Sequence, residues 1–345
     1  MDWMNAEELK STAQALVAPG KGVWANDASP TTLDKRLEAV GIPPSEETRR
    51  DFREMLIKTE GLGEFISGII LHEDTLKGDA KDGTPFTELV NKQGIIIGIK
   101  VDKGTKDLAN FSGEKIAEGL DGLRERLSEY KKLGARFTKW RAVFSIGENV
   151  PTNNCIEANS EVLARYAALA QEGDLVPIVE PEVLMEGNHG IDRSKEVTTR
   201  VLKSVFKKLV DHKVFLGGIL LKPNVVHPGK DSGEEVSNES VAEATLSTLH
   251  NTVPTEVPGI VFLSGGDAAG EMTAHLDLMN EKGPHPWELA FSFERALEGP
   301  AMEIWKGDEA NVLLAQKELY KRAKLNSLAR SGKYTVEMEG GQKNE

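Results

Sequence analysis

The stretch Gly218-Ile219-Leu220-Leu221-Lys222-Pro223 is an apolar run that ends in a lysine and a proline. Short runs of this kind are typical of strands in a parallel sheet, because helices cover both faces of such a sheet. Similar runs recur with starts about 30 to 44 residues apart, the spacing expected of strand–helix units. The predicted strands are Gly22–Asp27, Ile66–Leu71, Ile95–Lys100, Arg136–Arg141, Leu175–Glu180, Leu216–Lys222, Gly259–Ser264 and Leu289–Phe293.

Amphipathic helical patterns lie between these runs, and they indicate an α/β protein. Eight strand–helix units fit either a (β/α)8 TIM barrel or a long doubly wound sheet. The chain has no Gly-x-Gly-x-x-Gly fingerprint, and Lys21 in Ala18-Pro-Gly-Lys-Gly22 is not followed by Ser or Thr, so the barrel is favoured. The clearest predicted helices are Ser45–Lys58, Gly113–Lys132, Glu157–Gln171, Ser194–Asp211 and Glu239–His250.

The chain is expected to form one domain over residues 1–332, with additions at both ends of the barrel. The segment before Gly22 and a helix over Asp308–Leu328 lie outside the eight units. Residues 333–345 are expected to form a mobile tail.

Composition narrows the class of protein. The formal net charge of −13 argues against binding of nucleic acid, which usually requires a basic face. No run of about 20 apolar residues is present, so no membrane-spanning helix is expected. The acidic N-terminal residues resemble neither a secretory signal nor a transit peptide, and the single Cys155 points to a reducing compartment. We therefore expect a cytoplasmic protein, although a mature plastid form would look alike.

The ends of the predicted strands carry an unusual set of charged side chains. In a (β/α)8 barrel the catalytic groups come from these ends and from the loops that follow them. Lysines that end strands often extend their ammonium groups to the rim, but three of them at such positions favour a shared pocket. A dry, cation-crowded pocket favours the neutral amine, which is the nucleophile that attacks a carbonyl, and nearby carboxyl groups would transfer protons. The residues at these positions are Asp27, Lys100, Lys139, Arg141, Glu180, Lys222, Ser264 and Arg295.

A second group of residues suggests phosphate recognition. Ser264-Gly265-Gly266 follows an apolar strand and precedes a predicted helix near Ala268, and glycines let backbone N–H groups approach an oxyanion. Arg295 follows the eighth strand, where barrels often bind phosphate. Arg36 and Arg141 have the right chemistry for a second phosphate, although Arg36 also fits a solvated helix face. The seven histidines are scattered and lack metal-ligand spacing, so no metal is expected.

Seven segments, in order and with matching spacing over about residues 7 to 334, resemble class I (Schiff-base) fructose-bisphosphate aldolases. The resemblance implies reversible cleavage of fructose 1,6-bisphosphate to dihydroxyacetone phosphate and glyceraldehyde 3-phosphate, with no metal or other cofactor, in a homotetramer. The segments are Ala18-Pro-Gly-Lys-Gly-Val23, Gly98-Ile-Lys-Val-Asp-Lys-Gly104, Lys139-Trp-Arg141, Val176-Pro-Ile-Val-Glu-Pro-Glu182, Leu220-Leu-Lys-Pro-Asn224, Phe262-Leu-Ser-Gly-Gly266 and Phe291-Ser292 with Arg295-Ala-Leu297.

The resemblance also implies a role for each matching residue. Lys222 corresponds to the Schiff-base lysine, and Glu180 to the acid/base carboxyl. Lys139 resembles the neighbouring cation, and Asp27 the aspartate that orients the lysine. Lys100 and Glu182 match supporting residues of this network. The site for the C1 phosphate is matched by Ser264, Gly265, Gly266 and Arg295, with Ser292, Arg36 and Arg141 as its neighbours or toward the C6 end.

Three departures from the family pattern affect this interpretation. Ala28 stands where the family has a glutamate beside the aspartate, and Glu294 stands where it has a glycine before the arginine. A terminal tyrosine that assists proton exchange in the family is missing, and Tyr334 belongs to an earlier block, so slow exchange at the enamine carbon is expected. Two alternatives remain open: preference for a longer ketose such as sedoheptulose bisphosphate, and a catalytically weak scaffold that binds other proteins.

Overall fold

Eight parallel strands form the barrel of this protein, in a computed structural model that describes residues 5–266 and 268–340. The barrel order is β1-β2-β3-β6-β7-β8-β9-β10, and a separate antiparallel hairpin is formed by β4 and β5. Ala25 N donates to Phe293 O at 3.0 Å, which joins the first strand to the end of the last. The strands are β1 (Gly22–Asn26), β2 (Ile66–Leu71), β3 (Ile96–Lys100), β4 (Thr105–Asp107), β5 (Lys115–Ala117), β6 (Phe137–Phe144), β7 (Val176–Val183), β8 (Leu220–Leu221), β9 (Gly259–Phe262) and β10 (Glu288–Phe291).

Helices follow the barrel strands and cover their outer faces, as the α/β pattern predicts. The expected (β/α)8 barrel is thus confirmed. None of the helices in the described ranges is long and apolar enough to cross a membrane. The helices are α1 (Ala6–Leu16), α2 (Pro30–Ala39), α3 (Glu46–Ile57), α4 (Glu73–Leu76), α5 (Phe86–Lys92), α6 (Leu123–Lys132), α7 (Asn153–Glu172), α8 (Ile191–Asp211), α9 (Asn238–His250), α10 (Ala269–Glu281), α11 (Arg295–Trp305) and α12 (Val312–Ala329).

Side chains alternate between two apolar clusters along each strand, because successive side chains point to opposite faces. On β1, Val23 and Ala25 belong to the inner cluster, whereas Trp24 packs outward with the helices. On β6, Phe137 points inward and Trp140 outward. The inner cluster also contains Leu9, Ala13, Leu16 and Val17 from α1 and the residue after it, so this helix closes the N-terminal end of the barrel.

The structure corrects two of the predicted elements. The predicted helix Gly113–Lys132 is shorter, because Gly119 and Gly122 have positive φ angles and α6 begins only at Leu123. The predicted strand Leu216–Lys222 is reduced to β8, preceded by a 3-10 turn over Leu216–Gly218. There the side chain of Gln171 forms hydrogen bonds with Phe215 N, Phe215 O and Gly218 O, and so satisfies backbone groups that are not paired with another strand.

The last described residues pack against the barrel helices. Tyr334 is buried, and its backbone N donates to Asp277 Oδ1 at 2.8 Å. Glu339, in a 3-10 turn over Val336–Gly340, pairs with the buried Arg322 of α12. The predicted tail thus contacts α10 and α12 through Tyr334 and Glu339, and its residues 341–345 lie outside the described ranges.

Candidate active site

A cleft of about 570 Å³ lies at the C-terminal ends of the barrel strands. Its lining contains every candidate site residue chosen from the sequence except Gly266, which packs against Arg295. The predicted residues in the lining are Asp27, Arg36, Lys100, Lys139, Arg141, Glu180, Glu182, Lys222, Ser264, Gly265, Ser292 and Arg295.

On β6 and β7, the charged residues of the cleft occupy positions whose side chains point into the barrel. On β6 the inward position of Phe137 is followed two residues later by Lys139 and then by Arg141. On β7 the inward Ile178 is followed in the same phase by Glu180 and Glu182. The parallel register sets Arg141 beside Glu180 and Lys100 beside Lys139. Two-residue periodicity therefore fixes which lysines enter the barrel.

Lys139 lies at the centre of a buried ion-pair network. Its Nζ is 2.6 Å from Asp27 Oδ2 and 3.0 Å from Glu180 Oε2. Burial opposes the charged form of Lys139, but the carboxylates of Asp27 and Glu180 outweigh it and hold its pKa above the usual range. Burial likewise pushes the pKa of Asp27 upward, but the neighbouring amines of Lys139 and Lys222 lower it to about 2. Lys139 and Asp27 thus remain oppositely charged at neutral pH.

Lys222 follows β8 and shares Glu180 with Lys139. The Nζ atom of Lys222 is 3.1 Å from Glu180 Oε1, and both side chains are only 4% exposed. Glu180 Oε2 is buried and forms no hydrogen bond of suitable geometry with any described residue, although Lys139 Nζ is within ion-pair distance. An amine beside a carboxyl group is an arrangement suited to nucleophilic attack with acid/base assistance.

Asp102 organises the neighbouring cations, and the sequence analysis did not select it. Its carboxylate pairs with Lys100 Nζ and accepts from Arg141 N at 3.2 Å and from Gly104 N at 3.1 Å. Arg141 in turn pairs with Glu182 through Nε. Asp102 lies two residues beyond a strand end that we did select, so extending the search into the following loop would have found it.

The segment Ser264–Gly266 and Arg295 form a cationic corner of the cleft. Gly265 and Gly266 both have positive φ angles (55° and 93°), which favour glycine. A Cβ atom on Gly266 would lie 2.5 Å from Arg295 Nη1, so the guanidinium packs directly on this backbone. Ser292 Oγ is buried and has no hydrogen-bond partner among the described residues. These donors suit an oxyanion.

Arg36 enters the same cleft from α2. Ser29 caps this helix by accepting from Thr32 N at 3.3 Å, and Pro30 occupies its first turn. The helix directs Arg36 into the cleft, where its two terminal nitrogens bond both carboxylate oxygens of Glu294 at 2.6 and 3.0 Å. Glu294, which stands where the family pattern has a glycine, thus points into the cleft.

The carboxyl group of Glu298, on α11, lies near the ion pair of Arg36 and Glu294. Glu298 Oε1 accepts from Trp24 Nε1 at 2.7 Å and from Asn26 Nδ2 at 2.6 Å. Burial, together with the negative charge of Glu294, raises the pKa of Glu298 to about 8. Because it lies on a helix and not at a strand end, Glu298 was missed by the sequence search.

His72 lines the cleft, and the buried His189 has no hydrogen-bond partner at either ring nitrogen among the described residues. His212 ends α8 and contacts Glu161, and Cys155 is buried in α7. Over residues 5–266 and 268–340, no group of three or more His, Cys, Asp or Glu side chains has the arrangement of a metal site.

Comparisons with known proteins agree with this geometry. The family profile described as fructose-bisphosphate aldolase class-I matches residues 8–345. A probable fructose-bisphosphate aldolase class 1 of Xanthomonas axonopodis pv. citri is 52% identical over 96% of this chain and 99% of its own length. The cytosolic fructose-bisphosphate aldolase 6 of Arabidopsis thaliana is 47% identical over 98% of this chain and 94% of its own.

A solved structure of fructose-bisphosphate aldolase from Plasmodium falciparum, in complex with TRAP and a small-molecule inhibitor, superimposes with a TM-score of 0.94. It is 45% identical, and the match covers 96% of each chain. The profile match and these identities extend over nearly the whole barrel and its cleft. The chain therefore belongs to the class I fructose-bisphosphate aldolase family.

Proposed function

We propose that this protein cleaves fructose 1,6-bisphosphate reversibly to dihydroxyacetone phosphate and glyceraldehyde 3-phosphate, through a Schiff base on Lys222. The observation that carries the proposal is the 3.1 Å contact between Lys222 Nζ and Glu180 Oε1 in a buried network. Membership of the class I family supports the same reaction.

The first half of the reaction forms the imine. Lys222 Nζ attacks the C2 carbonyl carbon, and the carbonyl oxygen takes up a proton to give a carbinolamine. Glu180 then donates a proton to that hydroxyl group, which leaves as water, and the nitrogen lone pair forms the protonated imine. Lys139 holds Glu180 and Asp27 in place and supplies positive charge where the oxygen becomes negative.

The second half breaks the C3–C4 bond. Glu180, now a carboxylate, accepts the proton of the C4 hydroxyl group, and the electron pair of the C3–C4 bond moves into the imine to give an enamine. Glyceraldehyde 3-phosphate leaves as the aldehyde. Protonation of the enamine at C3 and hydrolysis by one water then release dihydroxyacetone phosphate and restore the free amine.

The remaining site residues would bind the two phosphate groups and order the network. We assign the C1 phosphate to Ser264, Gly265, Gly266 and Arg295, with Ser292 and Arg36 beside them. Arg141, on the opposite arc of the cleft, lies toward the C6 end. Asp102 and Glu182 position Lys100 and Arg141 through the ion pairs described above.

Reductive trapping tests this proposal. Borohydride reduction in the presence of dihydroxyacetone phosphate should leave one covalent adduct, which peptide mass mapping should locate on Lys222. Lys222→Met should abolish the adduct, whereas the matched Lys92→Met variant, at an exposed ion pair with Glu88, should retain it. Absence of an adduct in the wild type, or its appearance on Lys139 or Lys100, would show that the assignment is wrong.

We also propose a cytoplasmic homotetramer. Similarity to the cytosolic Arabidopsis relative and the buried, reduced Cys155 support the location. The family resemblance supports the assembly. Light scattering coupled to size-exclusion chromatography should give four times the 37.7 kDa chain mass, and a monomeric mass would contradict the proposal.

A further inference from the structure

The ion pair of Arg36 and Glu294 lies in the cleft, and the proposed reaction gives no role to the Glu294 carboxylate. Both terminal nitrogens of Arg36 face both carboxylate oxygens of Glu294, and the side chains are 24% and 23% exposed. This two-pronged geometry is the one in which arginine binds a phosphate group. The carboxylate of Glu294 therefore occupies the two terminal nitrogens of Arg36 with which arginine would otherwise bind a phosphate group of the ligand.

Glu294 has no local structural task that requires its carboxylate. It stands at the N-cap of α11, but its side chain makes no capping hydrogen bond. Its backbone oxygen accepts from Leu297 N and Glu298 N, so the first turn of the helix forms without the side chain. Among the described residues, the hydrogen bonds of the Glu294 carboxylate go to Arg36 alone.

The charges of the pair stabilise each other. Burial lowers the pKa of Arg36, but the hydrogen bonds to Glu294 and the negative charge of Glu294 outweigh burial and raise that pKa. Glu294 is followed directly by Arg295, whose guanidinium rests on Gly266. The Arg36–Glu294 pair therefore lines the same cleft as Ser264, Gly265 and Arg295.

We propose that Glu294 is a specificity-determining residue that occupies Arg36 as an internal substitute for phosphate. A phosphate entering the Ser264–Gly266 corner competes with this carboxylate for the guanidinium, and the competition lowers the affinity of that end of the cleft. The proposal deepens the proposed function and rests on it only for the identity of the natural ligand.

Binding of inorganic phosphate to the full chain tests the competition without turnover. Isothermal titration calorimetry at pH 7.5 and fixed ionic strength should show that Glu294→Gln binds phosphate about tenfold more tightly than the wild type, a factor that corresponds to about 1.4 kcal/mol. Glu73→Gln removes a charge from the same cleft at a residue paired with Lys77, so it should change the affinity less than twofold.

A double-mutant cycle identifies Arg36 as the mediator. In an Arg36→Met background, Glu294→Gln should give less than a twofold gain, because the freed guanidinium is no longer there. Phosphate affinity that is unchanged or weaker in Glu294→Gln would overturn the proposal, as would an equal gain in the Arg36→Met background. If Glu294→Gln does not fold, as judged by its unfolding curve, Glu294→Ser gives the same test.

Kinetics separate this inference from the proposed function. With the ketose bisphosphate as substrate, Glu294→Gln should lower KM by several-fold and leave kcat within about twofold, since the change acts on binding. If trapping on Lys222 fails, the reaction is wrong but the phosphate titration still decides the role of Glu294. A lower kcat with unchanged KM would show that Glu294 acts in the reaction and not on phosphate affinity.

Discussion

Lys139 Nζ lies 2.6 Å from Asp27 Oδ2, and both side chains are buried in the barrel. This contact joins the first strand region to β6, across a cleft where neither charge is exposed to bulk water. A buried ion pair becomes strongly destabilising when one partner is removed, because the other charge is left uncompensated. The pair is therefore a sensitive point for both stability and catalysis.

Asp27→Asn should slow turnover by roughly 100-fold, because Lys139 loses one of its two carboxylates and with it the alignment of Glu180. Steady-state assays on the ketose bisphosphate measure this effect. The exposed Asp107→Asn variant, which breaks the surface pair with Lys115, should retain wild-type activity. Equal rates for Asp27→Asn and the wild type would contradict the assigned geometry.

Comparing the free energy of unfolding of the wild type and Asp27→Asn at different pH values should also test the lowered pKa of Asp27. The folded pKa is lowered to about 2 from an ordinary value of 3.8, so the unfolded chain binds more protons between these values. The stabilising contribution of the charge is complete above pH 3.8 and is lost as the pH falls toward 2. Urea unfolding at several pH values should show the advantage of the wild type over Asp27→Asn shrinking across this window, and a constant difference would argue against it.

Glu298→Gln should change the pH dependence of stability in the opposite direction. The folded Glu298 keeps its proton up to about pH 8, whereas the unfolded residue releases it near pH 4.5. The folded state thus binds more protons in this range, so this residue makes the wild type less stable as the pH rises. An amide can still accept from Trp24 and Asn26 without ever ionising.

The stability of Glu298→Gln relative to the wild type should therefore increase from pH 5 to pH 8.5. The increase should be roughly 2 kcal/mol or more, since each unit of pKa difference corresponds to about 1.4 kcal/mol. Denaturant unfolding at both pH values measures it, with the exposed Glu243→Gln variant as a control for the loss of one charge. No change in the relative stability would mean that Glu298 is ionised in the folded protein.

Asp102→Asn should impair substrate binding more than the chemical step. The amide can still accept from Gly104 N or Arg141 N, but it no longer pairs with the ammonium of Lys100. We expect KM for the bisphosphate to rise about tenfold with a smaller change in kcat, and Asp102→Ala to be more severe because all three contacts disappear. A rise in KM restored by Asp102→Glu would support a positioning role, and an unchanged KM would exclude it.

Glu339→Gln should lower the melting temperature by roughly 1–2 °C, as expected for a loss of about 1 kcal/mol when the unfolding entropy is about 2.1 cal/mol/K per residue. Arg322 is buried and depends on Glu339, Thr273 Oγ1 and Ala269 O for its hydrogen bonds. Calorimetry measures the shift. Glu337→Gln lies on the same 3-10 turn but is exposed, so an equal effect there would show that the buried contact is unimportant.

The local sequence pattern was enough to predict which strand ends carry the charged residues of the cleft. The apolar runs before Lys100 and Lys222 predicted buried strands, and two-residue alternation then predicted which side chains face inward, although only Leu220–Leu221 of the second run forms a strand. The predicted helix Gly113–Lys132 was wrong in its first part, because Lys115–Ala117 forms β5 and Gly119 and Gly122 have positive φ angles, so the helix begins only at Leu123.

The amino-acid sequence by itself determined the barrel, the inward lysines and the family, because these depend on periodicities and segments that are local along the chain. Tertiary structure alone decided the partners: Arg36 with Glu294, Trp24 with Glu298, and Lys139 with Asp27 and Glu180. Closure of the barrel brings β10 beside β1, so residues more than 250 positions apart meet. Ion pairing depends on that distance in space, which no local pattern encodes.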